Sequence, residues 1–238
     1  MKAMIFAAGL GTRFKPWTDH HPKALAPVNG RSVLEHNVRY LQQYGITDVV
    51  VNVHHHAEQL FEAIEQANGW GSNIQISDER GMLLETGGGL MQARQWLESE
   101  PTFITLNADV LTDLNLNAIQ QSHADKKAMI TLAVTNRPSD RVFLLDADNR
   151  LRGWQHNKTG EQKLPSPASP LHPMAYSCVA VFQSAVFDLI PQRGKFSLTE
   201  TYLSLTADHL IYGYDHSGDR FVDVGKPESV AIAEAMFP

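Results

Sequence analysis

Residues 2–16, with the sequence KAMIFAAGLGTRFKP, decide the predicted fold. Lys2–Ala7 has the composition of a buried β-strand and runs directly into a loop with glycine at positions 9 and 11. Glycines let backbone amides approach a ligand closely, and successive N–H groups can hold an anion. Arg13 and Lys15 add positive charge at the same place. The stretch therefore predicts a phosphate-binding loop at the end of a first strand.

This loop differs from two better-known phosphate-binding loops. Phe14 stands where the dinucleotide-binding fingerprint needs a third glycine or alanine, and Pro16 opposes the helix that should begin there. No Gly-Lys-Ser/Thr ends the loop, so it is not a P-loop. The segment Pro22-Lys23-Ala24-Leu25-Ala26-Pro27 follows, and its two prolines restrict the backbone conformation around Lys23. A basic side chain is thus predicted next to a glycine-rich loop.

The first half of the chain alternates short β-branched runs with amphipathic segments, the pattern of a parallel, helix-flanked sheet. We predict a doubly wound, mostly parallel α/β fold of Rossmann-like type, with a small antiparallel inserted subregion. The predicted strands and helices of this half are Asp48–Val53, Asn73–Ser77 and Thr102–Leu106, and Ala57–Gln66 and Leu90–Leu97.

The pattern changes near residue 136. Val142–Asp146 and Leu151–His156 are expected to form a pair of exposed antiparallel strands, and Thr159–Pro173, with four prolines, is expected to be a loop. Tyr176–Phe182 and Phe221–Val224 resume strands. We expect one domain over residues 1–238, whose antiparallel subregion takes in about residues 137–182 and 208–224.

Composition excludes several classes of protein. The formal net charge of −6 provides no basic excess for binding a nucleic-acid backbone. Cys178 is the single cysteine, so the chain has no internal disulfide framework and no cysteine-rich zinc site. The apolar runs are strand-sized, and no signal-peptide pattern opens the chain. We expect a cytoplasmic protein that binds neither nucleic acid nor membrane.

Five segments together resemble the sugar-1-phosphate nucleotidyltransferases, also called nucleoside-diphosphate-sugar pyrophosphorylases. The two N-terminal segments match the family's Gly-x-Gly-Thr/Ser-Arg and Pro-Lys-x-Leu-x-Pro signature. Three later segments follow in the expected order: Glu85-Thr86-Gly87-Gly88-Gly89, Asn107-Ala108-Asp109 and Phe221-Val222-Asp223-Val224-Gly225-Lys226-Pro227. The resemblance covers nearly the whole chain and is strongest to short N-acetylmuramate-1-phosphate uridylyltransferase-like members. Short mannose- or heptose-1-phosphate guanylyltransferases are similar to a lesser degree.

The resemblance implies a reaction and its catalytic residues. Such enzymes join a sugar 1-phosphate to the α-phosphorus of a nucleoside triphosphate and release pyrophosphate. Mg²⁺ is implied as the cofactor, held by Asp109 and Asp223, because hard oxygen ligands suit that ion. Arg13 is implied to contact the β- and γ-phosphates, and Lys23 to neutralise the α-phosphate. The implied substrates are a nucleoside triphosphate and a sugar 1-phosphate, with the chain acting as a monomer or homodimer.

The resemblance also implies the substrate-binding residues. The nucleotide-binding set is Ala7, Ala8, Gly9, Leu10, Gly11, Thr12, Arg13, Gly87 and Gly88. The sugar-binding set is Glu85, Asn107, Trp154 and Ser177. Met82 and Leu83 stand where many members have a base-reading Gln or Glu followed by proline, so this position does not identify the base. The resemblance favours UTP with an amino-sugar 1-phosphate such as N-acetylmuramate 1-phosphate, and GTP with a mannose or heptose 1-phosphate is the alternative. A non-catalytic nucleotide-sugar sensor and a choline-phosphate-type cytidylyltransferase are the remaining alternatives.

Overall fold

A computed structural model describes all 238 residues of the chain. The strands are β1 (Lys2–Phe6), β2 (Pro27–Val28), β3 (Arg31–Ser32), β4 (Asp48–Val53), β5 (Asn73–Asp78), β6 (Thr102–Asn107), β7 (Val110–Thr112), β8 (Ile130–Thr135), β9 (Arg141–Leu145), β10 (Leu151–His156), β11 (Gln162–Lys163), β12 (His172–Gln183), β13 (Ile211–Asp215) and β14 (Phe221–Asp223). The helices are α1 (Val33–Gln42), α2 (Ala57–Gln66), α3 (Glu85–Gln92), α4 (Arg94–Leu97), α5 (Leu116–Asp125), α6 (Val186–Leu189), α7 (Leu198–Leu205) and α8 (Glu228–Met236). No helix is long and apolar enough to cross a membrane.

A ten-stranded sheet organises the molecule. Its main path has the order β11-β10-β9-β12-β6-β1-β4-β5; β8 joins this path at β12, and β13 pairs with β8. Strands β6, β1, β4 and β5 all run parallel, as predicted from the alternating pattern. Their carboxyl ends therefore lie at one edge of the sheet, which is where ligands bind in open α/β folds.

Both faces of this sheet are covered by helices. Along β1, Ala3 and Ile5 face a core shared with α1, α2 and α5, whereas Met4 faces the opposite core, with α3, α4, α6 and α7. Strands buried on both faces are typical of parallel sheets, because crossover helices cover each side. The predicted doubly wound fold class is confirmed.

The antiparallel part of the sheet is built around the long strand β12. This strand pairs with β6 along one edge and with β8 and β9 along the other. The predicted hairpin exists as β9 and β10, but it is not exposed: residues 142–145 are buried under the second core. The expected loop Thr159–Pro173 contains β11 and the start of β12. Within residues 208–224, β13 runs parallel to β8, contrary to expectation, whereas β14 pairs antiparallel with β7.

The glycine-rich segment after Glu85 differs from the prediction. We expected a helix only from Leu90 to Leu97, but α3 already begins at Glu85 and contains all three glycines. These glycines serve packing: a Cβ at Gly87 would lie 2.3 Å from the Phe196 ring, and one at Gly88 would lie 2.1 Å from the carbonyl oxygen of Gly194. The helix can therefore lie against segment 194–196 only with glycine at these positions.

Candidate active site

A cleft opens at the carboxyl ends of β1 and β6 and is made of two connected cavities. The first, of about 350 Å³, is lined by Ala7, Ala8 and Gly9 and by the start of α3; we call it the nucleotide half. The second, of about 750 Å³, is lined by residues of β9, β10, β12 and α7; we call it the sugar half. Asn107 and Asp109 line both cavities, so a ligand can extend from one into the other across the end of β6.

Two local features fix the loop after β1. The N–H of Ala7 donates to Asn52 Oδ1 at 2.7 Å, which fixes the end of the strand. Gly11 has a φ of +61°, and a Cβ there would lie 2.7 Å from Thr18 Cγ2, so the turn requires glycine. Leu10 and Thr12 lie exposed at the rim. The loop thus presents backbone groups of residues 7–9 to the nucleotide half.

A buried polar chain, not predicted from the sequence, supports this loop. Asn52 donates from Nδ2 to Glu79 Oε1 at 2.7 Å, and Glu79 Oε2 accepts the Leu84 N–H at 3.0 Å. Burial raises the pKa of Glu79 above its ordinary value. Asn52 and Glu79 both line the nucleotide half. These hydrogen bonds connect the ends of β1, β4 and β5 to the start of α3, and so fix the walls of this cavity.

The nucleotide contacts expected from Gly87 and Gly88 are not available. Both backbone N–H groups donate to the carbonyl oxygen of Phe196, at 2.9 and 3.3 Å, and both residues are buried. Thr86 and Glu85 line the nucleotide half in their place. The segment therefore borders the cavity through its first two residues, while its glycines pack against residues 194–196.

Two carboxylates lie at the boundary of the two halves. Asp109 follows β6, and Asp223 ends β14, which pairs with β7 and so brings the C-terminal motif beside the fourth parallel strand. Lys23 donates from Nζ to Asp109 Oδ2. Asp223 is reachable from the cleft but enclosed by its walls, and this burial raises the pKa of its carboxyl; the nearby Asp109 carboxylate raises it further. Two acids that repel each other are thus held at one place.

The donor set at this boundary fits a hard divalent cation. Both available ligands are carboxylates, the oxygen donors that Mg²⁺ prefers. The chain contains no group of three or more His, Cys, Asp or Glu residues that could hold a metal ion. Mg²⁺ is usually bound by one or two carboxylates together with substrate phosphates, so a two-carboxylate site is the expected form.

Arg13 reaches the same boundary from the first loop. A Cβ at Gly225 would lie 2.6 Å from Asp223 Oδ1 and 3.2 Å from Arg13 Nη2, so both side chains crowd this glycine. Arg13 also lines the sugar half. The structure therefore brings together Arg13, Lys23, Asp109 and Asp223, the four side chains predicted to be catalytic.

Arg137, which the sequence prediction missed, is the most enclosed cation of the sugar half. Its Nη2 donates to the carbonyl oxygen of Tyr176 at 2.7 Å, and its guanidinium lies 4.5 Å from the Phe221 ring centroid. Its Nε is buried without a hydrogen-bond partner. Burial lowers the pKa of Arg137, while Cys178 and Asp223 raise it. An arginine after a strand belongs to no motif quoted above, so only the fold could identify it.

The predicted sugar-binding residues divide into two groups. Glu85 and Asn107 line the nucleotide half, Asn107 also lines the sugar half, and Trp154 lines the sugar half. Ser177 does not reach the cleft: it is fully buried, and its Oγ lies 2.8 Å from His216 Nε2. Its neighbours Tyr176 and Cys178 line the sugar half instead, so Ser177 faces the opposite side of β12. The register of β12 also shifts between Tyr176 and Ala180, and Cys178 has a φ of +58°.

Comparison with known proteins decides the family. The nucleotidyl transferase family model matches residues 2–143. The chain is 30% identical to an N-acetylmuramate α-1-phosphate uridylyltransferase of Neisseria meningitidis, covering 99% of this chain and 98% of that protein. It is 32% identical to the enzyme of the same name from Caulobacter vibrioides, covering 98% and 95%. This chain belongs to the nucleotidyl transferase family. The predicted resemblance to the sugar-1-phosphate nucleotidyltransferases is confirmed.

Two further proteins are similar to this chain at lower identity. A mannose-1-phosphate guanyltransferase of Yarrowia lipolytica is 28% identical, covering 100% of this chain but 64% of that protein. The structure of HddC from Yersinia pseudotuberculosis complexed with GMP-PN superposes with a TM-score of 0.79 at 20% identity, covering 100% of this chain and 99% of that one. The structural likeness supports the family fold and carries no information on the base or the sugar.

Proposed function

We propose that this nucleotidyltransferase transfers a uridylyl group from UTP to N-acetylmuramate 1-phosphate or a related amino-sugar 1-phosphate. The products are the UDP-sugar and pyrophosphate. The observation that carries the proposal is the meeting of Asp109, Asp223 and Lys23 where the nucleotide half and the sugar half join. The uridylyltransferases that match almost the whole chain favour uracil and the acidic amino sugar.

The reaction needs positioning and charge neutralisation. An oxygen of the sugar phosphate attacks the α-phosphorus, a new phosphorus–oxygen bond forms, and the bond from the α-phosphorus to the oxygen bridging to the β-phosphorus breaks. Pyrophosphate leaves with that electron pair. The attacking oxygen is already ionised at neutral pH, so no general base is required. Catalysis of such transfers comes chiefly from alignment and from cations around the phosphates.

Three basic side chains supply fixed positive charge in our proposal. Arg13 stabilises the departing pyrophosphate, and Lys23 neutralises the α-phosphate. Arg137 binds the phosphate of the sugar, because its unpaired Nε and its enclosed guanidinium lie in the sugar half. Charge-assisted hydrogen bonds to arginine are strong and geometrically specific, which suits a phosphate that must attack in line.

Mg²⁺ would be held by Asp109 and Asp223. When bound, it offsets the charge of the phosphates and so lowers their mutual repulsion. Lys23, which donates to Asp109, adds a second positive charge at the same boundary. The Asp223 carboxyl, with its raised pKa, is the ligand whose ionisation the metal favours most.

We propose that backbone groups of the nucleotide half select the nucleobase. Met82 is 55% exposed at the rim and has no hydrogen-bonding side-chain group that could select a base. The walls nearest the first loop are backbone of Ala7–Gly9, held by Asn52 and Glu79. The second candidate is a GTP-dependent mannose- or heptose-1-phosphate guanylyltransferase, which the Yarrowia relative favours.

A substrate panel tests the proposal. Purified protein is incubated with Mg²⁺, each of four nucleoside triphosphates and a set of sugar 1-phosphates, and released pyrophosphate is measured. The expected result is the highest kcat/KM for UTP with N-acetylmuramate 1-phosphate. A preference for GTP with a neutral hexose phosphate would select the second candidate. Nucleotide binding with no pyrophosphate from any pair would favour a sensor.

A further inference from the structure

A third cavity, of about 650 Å³, opens from the sugar half. It shares Arg141, Trp154 and Ser197 with that half, so a sugar held there can place one substituent into this cavity. None of Lys23, Asp109 and Asp223 lines it. Its residues therefore contact a part of the ligand that does not react.

The floor of this cavity is one face of three antiparallel strands. Trp154 pairs in register with Phe143 on β9 and with Lys163 on β11, and Arg141 lies two residues before Phe143. Directly paired residues, and residues two apart along a strand, project from the same face of a sheet. Arg141, Trp154 and Lys163 therefore line one surface, with the indole between the two cations in strand order.

The side walls are held in place by specific contacts. A Cβ at Gly153 would lie 2.5 Å from the carbonyl oxygen of Lys163, so glycine allows β11 to lie close against β10. Arg152 donates to Ser166 Oγ at 3.0 Å and to Asp146 Oδ2 at 2.7 Å, which ties down the segment after β11. Helix α7 forms the opposite wall. The cavity is thus a shallow recess, open to solvent, between the β9–β11 face and α7.

The charges in the cavity favour an anion. The Arg141 guanidinium forms no ion pair; only its backbone N–H and carbonyl oxygen bond to Ser139. Lys163 Nζ lies 5.5 Å from the Trp154 ring centroid and 3.7 Å from Glu161, an exposed pair that contributes little. Glu200 is the one acidic residue that lines the cavity. Two cations thus face the recess, and one of them has no counter-ion.

We propose that this cavity binds an anionic substituent of the sugar, a carboxylate, through Arg141 and Lys163, while Trp154 packs against the apolar part of that substituent. The proposal rests on the proposed sugar-1-phosphate transfer and adds to it a residue-level basis for choosing an acidic sugar. Arginine matches a carboxylate with two parallel hydrogen bonds, a geometry that a neutral hydroxyl cannot satisfy. A sugar without the acid leaves Arg141 with no partner.

The test compares two sugar 1-phosphates that differ only in the acidic ether, N-acetylmuramate 1-phosphate and N-acetylglucosamine 1-phosphate. Arg141→Gln and Lys163→Gln are each expected to lower the ratio of kcat/KM for the acidic over the neutral sugar by about 10–100-fold, the usual effect of a hydrogen bond to a charged group. Lys126→Gln is the matched control, because Lys126 also lies over an aromatic ring, Tyr212, at 4.6 Å, but is absent from all three cavities.

A ratio that does not change, whether both kcat/KM values fall equally or neither falls, would overturn the proposal. Arg141 and Lys163 would then not distinguish the acidic sugar from the neutral one. Thermal unfolding of each variant shows whether a loss reflects folding. Failure of the proposed function looks different: the wild type then transfers to neither amino sugar. In that case the same ratio is measured with glucuronate 1-phosphate and glucose 1-phosphate, and a wild-type preference for the neutral sugar contradicts the anion site.

Discussion

The two halves of the cleft are built from different parts of the chain. The nucleotide half is lined by the glycine-rich loop after β1, by the ends of the parallel strands and by the first residues of α3, segments that the quoted motifs cover. The sugar half is lined mainly by antiparallel strands and by α7, which those motifs do not cover. Short motifs preserve backbone geometry, because they specify where glycine and proline must stand. They do not specify which side chains of the antiparallel strands and of α7 come together to line the sugar half.

The largest expected effect comes from the point where the two halves join. Asp109→Asn removes one of two carboxylates at this boundary while keeping the volume of the side chain. We expect kcat to fall by about 10³-fold or more, because one metal ligand and the partner of Lys23 are lost together. Pyrophosphate release measures it.

Asp113→Asn is the matched control for that variant. Asp113 lies four residues further along the chain and pairs with Arg220 at 2.7 Å, outside the cleft. Near-wild-type turnover by Asp109→Asn would contradict the assignment of the boundary as the catalytic centre.

The second prediction tests whether a cation of the sugar half affects binding of the sugar 1-phosphate but not of the nucleotide. Arg137→Gln should raise KM for the sugar 1-phosphate by about 10–100-fold and leave KM for the nucleoside triphosphate nearly unchanged, because Arg137 lines only the sugar half. Steady-state kinetics with each substrate varied in turn provide the measurement.

Arg220→Gln serves as the control, since Arg220 also lies over an aromatic ring, Phe237 at 5.1 Å, but at a different surface. If Arg137→Gln raised both KM values equally, the division of the cleft into two halves would be wrong.

The third prediction tests how tightly the backbone of the nucleotide half is packed. Gly88→Ala places a methyl group 2.1 Å from the Gly194 carbonyl oxygen. We expect the free energy of unfolding to fall by about 1–3 kcal/mol, the usual cost of overpacking. Denaturant unfolding measures it.

Gly9→Ala is the companion variant, because a Cβ at Gly9 meets no atom within 4 Å. Its free energy of unfolding should stay close to that of the wild type. Equal stability of the two variants would show that segment 194–196 moves aside at no cost.

The smallest predicted effect concerns the ionisation of Asp223. Burial raises the pKa of this carboxyl, so it takes up a proton at a higher pH than an ordinary aspartate does. Because Mg²⁺ competes with that proton, activity at subsaturating Mg²⁺ should fall as the pH drops toward the raised pKa. More Mg²⁺ should move this acid limb to lower pH, and an acid limb that does not respond to Mg²⁺ would argue against Asp223 as a ligand.

The raised pKa of Asp223 also predicts whether removing its charge raises or lowers the stability of the fold. A carboxyl whose pKa is higher in the folded state than in the unfolded state stabilises the fold most at low pH, and that contribution is lost as the pH rises through the folded-state pKa. Asp223→Asn carries no charge to desolvate. Without metal at neutral pH, it should therefore unfold at a higher temperature than the wild type, and a lower midpoint would contradict the raised pKa.

The prediction from sequence succeeded where local chemistry determines the outcome. The strand–loop pattern before Gly9 and the positions of the parallel strands along the chain follow from hydrophobic runs and turn residues. The meeting of Asp109 with Asp223 followed from the family motifs, since 114 residues separate them along the chain. Pairing of β14 with β7 explains that meeting in the folded protein.

The prediction failed where tertiary packing determines the outcome. The family resemblance implies that Ser177 binds the sugar, but Ser177 is fully buried against His216, while Tyr176 and Cys178 line the sugar half. Burial raises the pKa of the Cys178 thiol to about 12, so it keeps its proton at neutral pH. Gly87 and Gly88 were expected to contact the nucleotide because of the motif, yet their N–H groups bond to Phe196. Neither effect has a local sequence signature.

One competition experiment tests the central claim most directly. The protein is incubated with Mg²⁺, N-acetylmuramate 1-phosphate and equal concentrations of four nucleoside triphosphates, and the nucleotide sugar formed is identified by mass spectrometry. The account predicts that the UDP-sugar is the dominant product and that it is absent with Asp109→Asn. A GDP-sugar as the main product, or no nucleotide sugar at all, would contradict it.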